Sequence, residues 1–223
     1  MTPKWITFDC FGTLVDWRSG FSRILEPLTG KLTGNVLDAY HRHERLAEAE
    51  QPFHCYKEVL AVALSRGAQD VGLALNQEQA RVLSREWHKL QLFDDVEDAL
   101  AVLRLAGWKL AVLTNCDEDL FERTHRRFRE RFDLVVTAER VRSYKPAVAH
   151  FKFFQQQMGV STEGWVHVAC SWFHDIAPAR EMGLRHVWLD REREGERAEG
   201  TLRIHSAAEL GGALDKVTGT SPK

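Results

Sequence analysis

The side chains best suited to chemistry fall in four short clusters: Asp9 with Gly12 and Thr13; Thr114 with Asn115; Ser143, Tyr144 and Lys145; and Cys170, Ser171 and Asp175. If these clusters meet, carboxylate, amine, hydroxyl and amide groups share one site. A lysine beside an aspartate holds it ionised, and an ionised aspartate is a competent nucleophile. Gly12 permits a tight turn whose backbone amides can face an anion. The chemistry indicated is attack by the Asp9 carboxylate.

The elements that must bring the clusters together are legible from patterning. Short apolar, β-rich runs occur at Trp5 to Phe8, Lys109 to Thr114, Leu134 to Thr137, Trp165 to Ala169 and His186 to Leu189. Three of the clusters begin where one of these runs ends, and the Lys145 cluster lies in the segment after the third run. Between the runs lie helical spacings: Val96, Leu100 and Leu103 before Gly107; Leu120, Phe121 and Phe128; Val148, Phe151, Phe154 and Met158 before Gly159, with Pro146 expected in the first turn. A further helix is expected from about Asp175 to Gly183. This alternation implies an α/β fold, a Rossmann-like parallel sheet with helices on both faces. Such sheets bind ligands beyond the carboxyl ends of their strands, where the clusters sit. Residues 17–92 break the alternation. They show no convincing strand and read as helical at Ala39 to Ala49, Tyr56 to Ser65 and Gln77 to Leu90. We expect an inserted helical cap there, with a discontinuous core of residues 1–16 and 93–217. Arg191 to Gly200 reads as a solvated charged loop, and Thr218 to Lys223 as a frayed tail.

Composition excludes several classes. With 44% hydrophobic and 28% charged residues the chain is too apolar for disorder. A net charge of -2 gives no basic excess for nucleic acid. No apolar run approaches the roughly 20 residues of a membrane span, and the first residues do not read as a signal peptide. Cys10, Cys55, Cys116 and Cys170 are dispersed, as expected of reduced thiols in a cytoplasmic protein.

The segments Asp9-Cys10-Phe11-Gly12-Thr13-Leu14, Leu113-Thr114-Asn115, Ser143-Tyr144-Lys145-Pro146 and Ser171 to Asp175 resemble the four ordered motifs of the haloacid dehalogenase-like superfamily. Its phosphatase branch carries an acidic residue two positions after the nucleophile, where this chain has Phe11. It also holds Mg²⁺ with an acid at the end of the fourth strand, where this chain has Cys170, and Mg²⁺ prefers hard oxygen ligands. The pattern is closer to the metal-independent type II 2-haloacid dehalogenases and to a related azetidine-2-carboxylate hydrolase. That resemblance implies Asp9 as nucleophile, an aspartyl-ester intermediate, Lys145 as its charge partner and Asp175 orienting Lys145 or activating water. It implies a small anionic carboxylic-acid substrate held by Phe11, Gly12, Arg42, Thr114, Asn115, Ser171 and Trp172. Arg42 is the best match to the family's cap arginine, with Arg45 one turn on as its rival. No cofactor is implied, Mg²⁺ entering only with a phosphatase.

Some features depart from the dehalogenases or admit plainer readings. Phe11, Thr114, Cys170 and Trp172 replace the Tyr, Ser, Ser and Asn usual in the dehalogenases, whereas Ser171, His174 and Asp175 follow the azetidine-type relative. His174 reads equally as a base or as a structural histidine. His41, His43 and His54 read as a solvated helix face, and Cys10, Cys116 and Cys170 as small buried side chains. Trp17, Phe21, Phe53, Trp87 and Phe93 are candidates for an apolar pocket wall, with two or three of them expected to reach the pocket and the others to be plain core. A Mg²⁺-dependent phosphatase and a catalytically degraded binding protein stay open beside the main reading. The sequence also leaves open whether the chain is a monomer or a homodimer.

Overall fold

A computed structural model of the chain describes residues 4–193 and 200–219. In chain order the strands are β1 (Trp5–Phe8), β2 (Val15–Asp16), β3 (Gln91–Leu92), β4 (Lys109–Thr114), β5 (Leu134–Thr137), β6 (Trp165–Ala169), β7 (Arg185–Leu189) and β8 (Leu202–Ile204). The helices are α1 (Trp17–Thr29), α2 (Thr33–Glu48), α3 (Tyr56–Asp70), α4 (Gln77–Ala80), α5 (Val82–Arg85), α6 (Val96–Leu105), α7 (Glu118–His125), α8 (Ala138–Val141), α9 (Ala149–Met158), α10 (Ala177–Glu181) and α11 (Leu210–Thr218).

Six strands form one parallel sheet in the order β5-β4-β1-β6-β7-β8. The expected α/β architecture is present. On β4 the side chains alternate: Leu110 and Val112 join one apolar cluster, while Ala111 and Leu113 join another on the opposite face. The first cluster takes in α6 and α11 and continues into the helical segment through Tyr40, Leu60 and Trp87. The second is closed by Phe151 and Phe154 of α9, both fully buried. Truncating either to alanine would cost about 3–5 kcal/mol.

The chain runs outward from β1 through β4 to β5, then returns to β1's other side for β6 to β8. That reversal opens a crevice beyond the carboxyl end of β1. β2 and β3 pair antiparallel where the chain leaves and rejoins the sheet layer, so residues 17–92 do contain a strand, contrary to expectation. A two-residue ladder is too short to show alternation. The expected helix from Gln77 to Leu90 is broken into α4, α5 and a short turn at Trp87–Lys89. Pro146 precedes α9 rather than entering it; it lies in a turn closed by Ala147 N donating to Tyr144 O at 3.1 Å. Of the tail, Thr218 still belongs to α11, and residues 220–223 lie outside the described residues.

The helical segment, called the cap below, is tied to the sheet layer by an unusual cap bond. Cys55 at the start of α3 offers its side chain to none of the helix amides. Instead Asp117, in the turn before α7, accepts from Tyr56 N at 2.7 Å and Lys57 N at 3.0 Å.

Candidate active site

β1 is buried along its length, and the chain leaves the sheet at Asp9. The Asp9 amide donates to Val168 O at 3.0 Å, while Leu14 N and Val15 N both donate to Cys10 O, folding the next residues into a tight loop. Gly12 has φ of 95°, and a Cβ there would meet Cys170 Sγ at 2.7 Å, so both conformation and space require glycine. Thr13 Oγ1 donates to Asp9 Oδ2 at 2.7 Å and accepts from Cys170 N at 2.8 Å. The carboxylate is thereby fixed between β1 and β6.

Lys145 supplies the opposite charge. Its Nζ donates to Asp9 Oδ1 at 2.9 Å, Asp175 Oδ1 at 2.6 Å and Leu113 O at 2.8 Å, which uses all three protons. Asn115 grips the lysine's backbone: its Oδ1 accepts from Lys145 N at 2.7 Å and its Nδ2 donates to Lys145 O at 3.0 Å. Behind Asp175, His167 lies 3.1 Å from Oδ1 and meets the Thr7 hydroxyl at 2.8 Å. Burial opposes ionisation of Asp175, but the Lys145 charge and the His167 bond outweigh it and pull the carboxyl down to about 2. Asp175 is therefore ionised at neutral pH and no proton donor. Asp9 differs: burial outweighs the nearby Lys145 charge, Asp175 adds repulsion, and its pKa lies above the ordinary aspartate value. Lys145 is held protonated, since the two carboxylates more than offset its burial.

The cap contributes a face of α2. Positions 41, 44, 45 and 48 follow the helical period and line the cleft with His41, Glu44, Arg45 and Glu48. Glu44 Oε1 accepts from the Tyr40 and Tyr56 hydroxyls at 2.6 and 2.5 Å. Arg45 can only donate to His41 Nε2 (3.2 Å), which leaves the ring's Nδ1 proton facing Glu44 Oε2 (3.2 Å). Burial raises the Glu44 carboxyl, yet the bonds from His41 and the two tyrosines bring it below its usual value. Glu48 accepts from Asn115 Nδ2 at 3.1 Å and faces His174 Nε2 at 3.3 Å. Patterning could have exposed both acids, because they share the i, i+3, i+4, i+7 stripe with His41 and Arg45.

The cleft encloses about 330 Å³, small enough to match a compact metabolite. Around it the fold gathers Asp9, Phe11, Gly12, Thr114, Asn115, Lys145, Ser171 and Asp175. Two expected residues are elsewhere. Arg42, about 100° around α2 from the lining face, reaches Asp38 O at 3.2 Å and Asp70 at 3.4 Å, with its side chain 64% exposed. Arg45 takes the place expected of it. Trp172 packs edge-on against Trp188 with Arg180 over its ring, away from the cleft. Of the aromatic candidates Trp17, Phe21, Trp87 and Phe93 line the wall, whereas Phe53 stacks on Tyr144. Arg191 is not a solvated loop residue: it pairs with Asp95 through two bonds and covers Phe93. Residues 194–199 of that loop lie outside the described residues.

Residues 3–183 match the haloacid dehalogenase-like hydrolase family. The chain belongs to that family. It is 27% identical over 194 residues to haloacetate dehalogenase H-2 of Moraxella sp. (strain B), covering 83% of this chain and 85% of that protein. It is 26% identical over 195 residues to the (S)-2-haloacid dehalogenase of Pseudomonas sp. (strain YL), covering 84% and 83%. Its fold matches that of L-2-haloacid dehalogenase from Xanthobacter autotrophicus with chloropropionic acid covalently bound. That match has a TM-score of 0.80 and 19% identity, and covers 98% of this chain and all of the other.

The oxygen donors needed to hold Mg²⁺ in this haloacid dehalogenase-like hydrolase are incomplete. Beside Asp9 stand the Phe11 ring and the Cys170 thiol, whose pKa burial pushes well above its usual value, so it stays a neutral, soft donor. Among the described residues no group of three His, Cys, Asp or Glu side chains is placed to hold a metal. Burial likewise keeps Cys10 and Cys116 protonated, so neither is a thiolate nucleophile. His41, His43 and His54 each face a different carboxylate, on Glu44, Asp70 and Glu58. No helix among the described residues is long and apolar enough to cross a membrane.

Proposed function

We propose that this hydrolase acts on a small 2-substituted carboxylic acid, with Asp9 displacing the C2 substituent to form an aspartyl ester that water then cleaves. The observation that carries this reading is the setting of Asp9. Its two oxygens accept from Thr13 and from the Lys145 ammonium, which orients a buried carboxylate toward a small cleft with a counter-charge beside it. In the first step an Asp9 oxygen bonds to C2 and the leaving group departs with the electron pair. In the second, water attacks the Asp9 Cγ, and the oxyanion develops on the Asp9 oxygen not bonded to C2, held there by its own partner, the Lys145 ammonium for Oδ1 or the Thr13 hydroxyl for Oδ2. Asp175 holds Lys145 in place, and Asn115 fixes the lysine's backbone. Thr114 and Ser171 are proposed to contact the substrate, with Phe11, Trp87 and Trp17 forming its apolar wall. The covalent chloropropionic adduct of the Xanthobacter enzyme supports the ester route.

Phosphomonoester hydrolysis is disfavoured by Phe11, which cannot protonate a leaving oxygen, and by the low pKa of Asp175, which has no proton to give. The deciding experiment is a single turnover in ¹⁸O-water with enzyme in excess over 2-chloropropionate. The label is expected in the peptide carrying Asp9 and not in the product hydroxyl. Label found directly in the product would overturn the nucleophile assignment. Activity lost to EDTA and restored by Mg²⁺ would instead favour the phosphatase.

A further inference from the structure

Ser171 is engaged twice by His174. Its Oγ accepts from His174 N at 3.1 Å, which starts the wide turn Trp172–Ile176, and lies 3.0 Å from Nδ1 of the same residue's ring. The far side of the ring faces the cap: Nε2 is 3.3 Å from Glu48 Oε2, with side chains 14% and 7% exposed. Glu48 is held from its other oxygen, where Oε1 accepts from Asn115 Nδ2 at 3.1 Å. Ser171, His174 and Glu48 all line the cleft that holds Asp9. Among the described residues Ser171 Oγ has no further partner.

A serine hydroxyl has one proton and two lone pairs, and His174 N–H occupies one of those pairs. The state of the ring decides the rest. A neutral ring keeps its proton on Nε2, because a bare Nε2 would face a carboxylate, and Nδ1 is then an acceptor. The Ser171 O–H points at the ring, and only a lone pair is left for the cleft. A protonated ring instead donates from Nδ1 to the second lone pair, and the Ser171 O–H is free to turn into the cleft. We propose that Ser171 donates this O–H to the substrate's carboxylate, and that Glu48 makes it a donor by holding His174 as the imidazolium. Ser171 touches the substrate; Glu48 and His174 are positioning residues. This rests on the anionic substrate proposed above. Glu48 and Glu44 face His174 from α2, with Arg45 over the neighbouring Phe173 ring, and Asp175 faces it from its own turn. The Asp175 charge is already taken up by Lys145 and His167, while Asn115 and Tyr144 beside Glu48 are neutral. Burial opposes the imidazolium, but the Glu48 contact outweighs it and raises His174 above its ordinary value. The donor form is therefore present at neutral pH and lost as pH rises through that raised value.

Calorimetric titration with propionate, a carboxylate without a leaving group at C2, reads binding with no turnover. It is run between about pH 6 and 9, where propionate stays ionised, on wild type, Ser171→Ala and Glu48→Gln. Imidazole ¹⁵N shifts of the same proteins, assigned by comparison with His174→Gln, report the ring. Wild-type Kd is expected to rise about 10-fold as His174 loses its proton, the loss of one hydrogen bond to a charged group. Ser171→Ala should bind about 10-fold more weakly at low pH and lose that step, although His174 still titrates. Glu48→Gln should move the ring titration and the Kd step together to lower pH. A full step in Ser171→Ala would mean that the imidazolium charge alone attracts the anion, and overturns the inference. So does a ring already neutral at the lowest pH, or a wild-type Kd that ignores the ring titration, results that need no variant to fold. Wild type that binds no propionate at any pH overturns it too. The expected Kd pattern beside ¹⁸O label in the product hydroxyl would uphold this inference and overturn the Asp9 reading.

Discussion

Asp9 and Asp175 bind the same ammonium group, Lys145 Nζ lying 2.9 Å from one carboxylate and 2.6 Å from the other. The two acids are unequal in consequence. Asp175 also takes His167 and is ionised well below neutrality, whereas Asp9 is shifted upward and faces the cleft.

Asp9→Asn should abolish turnover and leave the fold intact. Lys145 keeps Asp175 and Leu113 O as partners, so no buried charge is stranded. An amide cannot form the ester, and kcat is expected below about a hundredth of wild type. Circular dichroism establishes folding; a variant with more than that residual rate refutes the nucleophile role.

The acid limb of the pH–rate profile should reflect the raised pKa of Asp9. Protonated Asp9 cannot attack, so kcat/KM falls as pH drops through a value above the roughly 3.9 of free aspartate. Lys145 lowers that pKa by charge and hydrogen bond. In Lys145→Gln the limb should therefore move to higher pH, alongside a large loss of rate. A limb that stays in place, or moves down, would show that it belongs to another group.

Arg45→Ala should raise KM for an anionic substrate by about 10-fold, since its guanidinium lies at the cleft and Arg42's does not. Arg42→Ala should change KM by less than about 2-fold, its contact with Asp70 being an exposed ion pair. Initial-rate measurements at fixed ionic strength decide the ranking, and a reversed order contradicts the placement of α2.

Removing the Asp117 carboxylate should weaken the junction between cap and sheet. Asp117→Ala leaves the first amides of α3 without their acceptor and should cost about 1–2 kcal/mol. Thermal unfolding is the measurement, with a fall of roughly 2–8 °C expected in Tm. An unchanged Tm would mean that water replaces the carboxylate without loss.

The residues of the sheet and its carboxyl-end cluster were readable because apolar runs stop abruptly at polar groups, as at Phe8–Asp9 and Leu113–Thr114. What escaped was set by packing. α1 carries Gly20 and Pro27, which read as helix breakers, yet a Cβ at Gly20 would sit 2.3 Å from Leu90 Cδ2. Arg42 and Arg45 are equivalent as letters; only the rotation of α2, fixed by burial of Val36, Leu37 and Tyr40, sends one into the cleft. Trp172 follows Ser171 in sequence, but the wide turn at Trp172–Ile176 swings its ring onto Trp188. Glu48 carried no motif at all. Its place in the cleft is visible only through its contacts with Asn115 and His174, residues more than sixty positions away.

The Asp117 bond also bears on how the chain can be rearranged. α3 takes its starting carboxylate from a residue that follows the whole insertion, so the helical segment is incomplete when severed at its own ends. Helix initiation is the costly step of helix formation, and here the group that eases it is synthesised only after the helix itself. Transplanting residues 17–92 onto a foreign sheet would carry the helices without that acceptor. A working graft must bring Asp117 with it, or write a new serine or aspartate at position 55.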